Sequence, residues 1–60
     1  REFSEEEKTV MNLFEETDIV YLDKIITDTM LSPTKIASIL LSLEFDGVLS
    51  ALPGKRYQKL

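Results

Sequence analysis

A chain of 60 residues with neither cysteine nor histidine has no disulfide staple, no zinc finger, no thiol nucleophile and no histidine base, so packing alone must hold it. Its net charge of −4 works against generic attraction to phosphate, the main source of non-specific DNA affinity. The apolar run Ile39-Leu40-Leu41 is far too short to span a bilayer, nothing reads as a signal peptide, and the absence of cysteine fits a cytoplasmic home.

The length sets one domain, 1–60. A chain this short buries only about 60% of the surface its unfolded form exposes. Its core therefore supplies roughly 3–5 kcal/mol. Charge is unevenly spread. Residues 1–30 hold three basic and nine acidic residues, and residues 31–60 hold four basic and two acidic. The basic residues of the second half include Lys55 and Arg56, just after a Pro-Gly pair.

"FSEEEKTVMNLFEE" predicts a helix over about 5–16. Ser4 and Glu7 have capping-box spacing: the Ser hydroxyl accepts from a free backbone N–H, and the Glu side chain reaches back. Glu5, Glu6 and Glu7 fall in the first turn, where the helix dipole favours negative charge. That account, a solvated and dipole-matched turn, outweighs a cation or partner site. Val10, Leu13 and Phe14 keep i, i+3, i+4 spacing and mark a buried stripe. Phe3 is placed to pack back on the helix start.

Ile19-Val20-Tyr21 is β-branched and aromatic, enough for a very short strand. Leu22, Ile25 and Ile26 then resume helical spacing and predict a second helix over about 22–29.

"SPTKIASILLSLEFDG" is the clearest segment. Ser32 is a natural N-cap, and Pro33 suits the first helical position, where a missing N–H costs nothing. Ile36, Ile39, Leu40 and Leu43 form a buried stripe, and Gly47 reads as the stop. The third helix is thus predicted over about 33–46. Its opposite face carries Thr34, Ser38, Leu41 and Phe45, with Lys35 and Ser42 on one flank. Phe45 is expected to pack under the segment that follows; Leu41 has no evident cover. Only Met30-Leu31-Ser32 separates the second and third helices, so they must cross steeply, as in a helix-turn-helix. Met30 stands where Gly is common, which signals either strain or a different turn geometry.

"GVLSALPGKRYQKL" predicts two strands, about 48–52 and 56–60. Pro53 locks φ near −65° and forbids the primed two-residue turns. A connection of three to five residues is expected, with Gly54 taking positive φ. Tyr57 is the best candidate to pack back on the helices. The fold class is α+β, mainly α: a winged helix-turn-helix of three helices with a short strand and a C-terminal β-hairpin wing.

Catalytic motifs are missing. Gly54-Lys55 lacks the upstream Gly and following Ser or Thr of a phosphate loop and precedes a strand. Asp18, Asp23 and Asp28 do not match a calcium loop. The chain reads as a non-enzyme with no metal and no cofactor.

"SEEEKTVMNLF", "YLDKI" and "LSPTKIASILLSLEFDGVLSALPGKRYQKL" together resemble the C-terminal winged-helix domain of the DNA-processing protein A family (DprA/Smf). The resemblance covers nearly the whole chain. Its most specific part is the leucine-rich helix running into "LEFDGVLSALPGKRYQKL", with Leu-Pro-Gly followed closely by Tyr. It implies a bacterial, cytoplasmic protein acting on incoming DNA in natural transformation. In that family a larger Rossmann-like domain binds single-stranded DNA and helps to load the RecA recombinase. No motif of that domain lies in these residues. The winged helix is implied to be an accessory module, partnered by the remainder of its own full-length protein and, through it, by RecA.

Two functions compete. For DNA binding the candidates are Thr34, Lys35 and Ser38 on the third helix and Lys55, Arg56 and Lys59 on the wing, cations for phosphates and hydroxyls for phosphates or base edges. That helix has no Arg, Asn or Gln, so binding would be weak and sequence-independent. For protein interaction the candidates are Ala37 and Leu41. Acidity and the poor base-reading set place protein interaction first. Neither function involves a membrane.

Overall fold

A computed structural model describes residues 2–60. Its elements are α1 (Glu5–Met11), one 3-10 turn (Asn12–Phe14), β1 (Ile19–Tyr21), α2 (Leu22–Thr29), α3 (Pro33–Phe45), β2 (Leu49–Leu52) and β3 (Arg56–Lys59). The strands form one antiparallel sheet in the order β1-β3-β2. This is the winged-helix α+β architecture expected from the sequence.

Helix α1 starts on a complete capping box. The Glu7 N–H donates to Ser4 Oγ (3.2 Å), and the Ser4 N–H donates to Glu7 Oε1 (2.9 Å). The first helix is shorter than the 5–16 expected. After Met11 it tightens into the 3-10 turn, which leaves Phe14 buried. The reason lies downstream. No apolar residue follows Phe14 before Ile19, and the Asp18 carbonyl must accept from the Lys59 N–H (2.8 Å) to open the sheet. A helix continued to residue 16 would leave too little chain to extend before Asp18.

Met30 settles the junction between α2 and α3. It caps α2 in the left-handed region, φ 59 and ψ 18, with its N–H donating to the Ile26 carbonyl (3.1 Å). A side chain thus occupies a conformation that favours Gly. Ser32 then caps α3, its Oγ accepting from the Lys35 N–H (3.1 Å). Helix α3 stops at Phe45, one residue short of expectation. Gly47 takes φ 77, the Gly47 N–H donates to the Glu44 carbonyl (3.0 Å), and the Val48 N–H donates to the Leu43 carbonyl (3.0 Å). That pair of bonds is a Schellman cap, and it turns the chain into β2.

The strands are also shorter than 48–52 and 56–60. Val48 is held by the cap, and its carbonyl accepts from the Leu60 N–H (3.0 Å) beyond the last ladder residues. The connecting turn, Pro53–Lys55, has three residues. Gly54 takes φ 83, and Lys55 follows at φ 57. The position of β3 is the point at which the sheet departs from a free hairpin. It lies in the middle, with Val20 opposite Tyr57 on one side and Ala51 opposite Tyr57 on the other.

The core sits between the helices and one sheet face. It contains Val10, Phe14, Val20, Ile25, Ile36, Ile39, Leu40, Leu43 and Leu49, with Phe3, Leu22, Ile26 and Tyr57 half-buried against it. No helix among the described residues is long and apolar enough to cross a membrane.

Candidate functional site

The outward side of α3 is the complement of its buried stripe. Once Ile36, Ile39, Leu40 and Leu43 face the core, the 3.6-residue period leaves Thr34, Lys35, Ala37, Ser38, Leu41 and Phe45 in water. Leu41 is 67% exposed and Phe45 91% exposed. They lie four residues apart, so their side chains are neighbours on one face. Phe45 does not pack under the wing as expected, because the Schellman turn carries the chain away toward β2 and leaves the ring outside.

Lys35 is held. Its Nζ lies 3.3 Å from Glu6 Oε1, an ion pair that ties α3 to the first turn of α1. Both partners are about half-exposed, so the pair is worth little in stability. It nonetheless places a carboxylate beside the main cation of the third helix. No local spacing in the sequence signals this pair, since the two residues meet only through the fold.

The wing cations are not gathered either. Arg56 folds back on its own turn, with Nε donating to the Pro53 carbonyl (2.8 Å). Lys55 stands at the tip, and its carbonyl accepts from the Leu22 N–H (2.8 Å), which pins the turn to the start of α2. Side chains alternate along a strand, so Arg56 and Lys59 project from opposite faces of β3. Of the six DNA candidates, the structure groups Thr34, Lys35 and Ser38 on α3 and disperses Lys55, Arg56 and Lys59. The two interface candidates, Ala37 and Leu41, share the α3 face with Phe45.

The outer sheet face adds a second surface that sequence reasoning missed. Tyr21, 58% exposed, stands opposite Arg56, which in turn stands opposite Leu52. The signal was present in the alternation of Ile19-Val20-Tyr21, where burying Val20 forces its neighbours outward.

A family model described as the DprA winged helix domain matches residues 1–55. No curated protein and no solved structure matches the chain.

Proposed function

Because the chain belongs to the DprA winged-helix domain family, we propose that it is an accessory, protein-docking module of a DNA-processing protein, with Ala37, Leu41 and Phe45 on α3 as its contact surface. The observation that carries this reading is the exposure of Leu41 and Phe45 side by side on one helix face. Covering a large apolar side chain is favourable by roughly 1.5–3 kcal/mol, and Lys35, the cation beside that face, is already paired with Glu6. The favoured partner is the remainder of the full-length protein. Two domains on one chain meet at effective concentrations of roughly millimolar, so a small apolar contact suffices. A bacterial cytoplasmic setting, natural transformation and contact with RecA through the full-length protein extend the same reading. In it the domain performs no chemistry of its own.

A second reading, weak and sequence-independent DNA binding, is favoured by Lys55 and Lys59. Both are exposed and have no ion-pair partner among the described residues.

One amide NMR experiment separates the two. The domain is titrated with the separately produced remainder of its protein and then with short single- and double-stranded DNA at low salt. Shifts at Ala37, Leu41 and Phe45 with the protein, lost in Leu41→Asp and little changed by salt, are expected. Shifts at Lys35, Ser38, Lys55, Arg56 and Lys59 with DNA, reversed by salt, would replace docking with DNA binding.

A further inference from the structure

The sheet turns one face to the core and the other away from it. Val20, Leu49 and Tyr57 pack inward, so their neighbours along each strand point outward. The outer face is two cross-strand rows. Tyr21, Arg56 and Leu52 form the row next to the wing turn, and Ile19, Gln58 and Ser50 form the row behind it. Ile19 and Tyr21 are exposed and the other four are half-buried. The Tyr21 side chain does not cap α2, although the residue holds the N-cap position. Its ring stands on the surface with no task in the fold that would require an aromatic side chain.

Charge on this face runs against that of the chain. The net charge is −4, yet the three strands hold Arg56 and Lys59 and no acidic residue. The acids nearest in sequence, Asp18 and Asp23, lie beyond the ends of β1. Two cations flank the Tyr21 position. Arg56 stands opposite it in the ladder, and the bond from the Leu22 N–H to the Lys55 carbonyl (2.8 Å) brings Lys55 alongside. Neither cation has an ion-pair partner among the described residues. Arg56 is also set in place. Its Nε donates to the Pro53 carbonyl (2.8 Å), which leaves the terminal nitrogens of a pre-oriented guanidinium for an anion.

We propose that the outer face of the sheet binds single-stranded nucleic acid, with an unpaired base stacked on Tyr21 and the adjoining phosphates on Arg56 and Lys55. An aromatic ring between cations, on a face without acids, matches the alternation of base and phosphate along a single strand. Ile19 and Leu52 widen the apolar platform around the ring, and Gln58 offers an amide to a base edge. A duplex keeps its bases stacked on one another and so presents no free base face to Tyr21. The mode differs from a contact through cations alone, which would have no use for the ring. It is also separate from α3, so docking through Leu41 and Phe45 and strand binding on the sheet stand or fall independently.

The test is an NMR titration of this chain at low salt with three probes: oligothymidylate of about eight nucleotides, an abasic sugar–phosphate strand of the same length, and a duplex of the same length. Oligothymidylate is expected to move the Tyr21 ring protons upfield, as stacking does, and to shift the amides of Ile19, Arg56 and Gln58 while Lys35 and Ser38 on α3 stay still. The abasic strand and the duplex should each bind about fivefold more weakly or worse. Tyr21→Ala should weaken oligothymidylate binding by a similar factor with unchanged circular dichroism, and Tyr21→Phe should bind as wild type does. Should Tyr21→Ala lose structure, the abasic comparison makes the same test on the wild type. Arg56→Gln should lower the slope of log affinity against log salt by about 0.7, one phosphate contact on a single strand. No movement of the Tyr21 ring at about 1 mM oligothymidylate, equal binding of the abasic strand, or shifts centred on Lys35 and Ser38 would overturn the proposal.

Discussion

Tyr57 occupies the middle strand on the face that meets the helices, half-buried between Val20 and Ala51. Burial raises its phenol above the ordinary 10.0, and the Glu44 carboxylate adds to the effect. The folded state therefore holds this proton longer than the unfolded chain does. Below pH about 10 both states are neutral and the group contributes no pH dependence. As pH rises past that value the unfolded chain ionises first, and stability falls until the folded phenol ionises too. Urea midpoints at about pH 9 and about pH 11 should show a smaller alkaline loss in Tyr57→Phe than in wild type; an equal loss would place the alkaline sensitivity elsewhere. The role of Tyr57 in packing was legible because it is the one large apolar side chain in the strand Arg-Tyr-Gln-Lys. The exposure of Phe45 was not, because a residue at the end of a helix is covered or bare according to where the next segment goes.

At the scale of elements, local signals did well where they act within one turn. The Ser4–Glu7 box, the Ser32 cap and the Gly47 stop are short-range hydrogen-bond patterns, and each appears in the structure. Signals failed where an element's end is set by a distant partner, as when Lys59 claims the Asp18 carbonyl and α1 yields its last turn. The junction at Met30 joins both kinds. The short spacing demanded a tight turn, and the structure meets it by placing a non-glycine side chain at φ 59, 89% exposed. A left-handed non-glycine residue costs roughly 1–2 kcal/mol, and glycine loses part of that gain to its freer unfolded chain. Met30→Gly should therefore raise the urea midpoint by the equivalent of about 0.5–1 kcal/mol. A lower midpoint would mean the Met30 side chain makes a contact that matters.

For the whole molecule, the core is small enough that one side chain decides the outcome. Leu40 is buried in the stripe of α3, among Ile36, Ile39 and Leu43. Leu40→Ala should cost about 2–5 kcal/mol, comparable with the roughly 3–5 kcal/mol a domain of this size holds. Thermal melts should find the variant mostly unfolded at room temperature; a cooperative melt near that of wild type would remove Leu40 from the core. The candidate site was less legible than the core. Hydrophobic period locates what is buried, whereas the Glu6–Lys35 pair and the fold-back of Arg56 depend on which elements meet.

The middle place of β3 has a consequence for how the protein is made. Helices and the β1 segment leave the ribosome first, yet Val20 must wait for Tyr57 before it has a strand to pair with. Neither β1 nor β2 can seed the sheet alone, since within the domain each bonds to β3, which follows both in the chain. Within this domain the sheet therefore closes only once β3 has been made, and until then the helices stand with one flank unsealed.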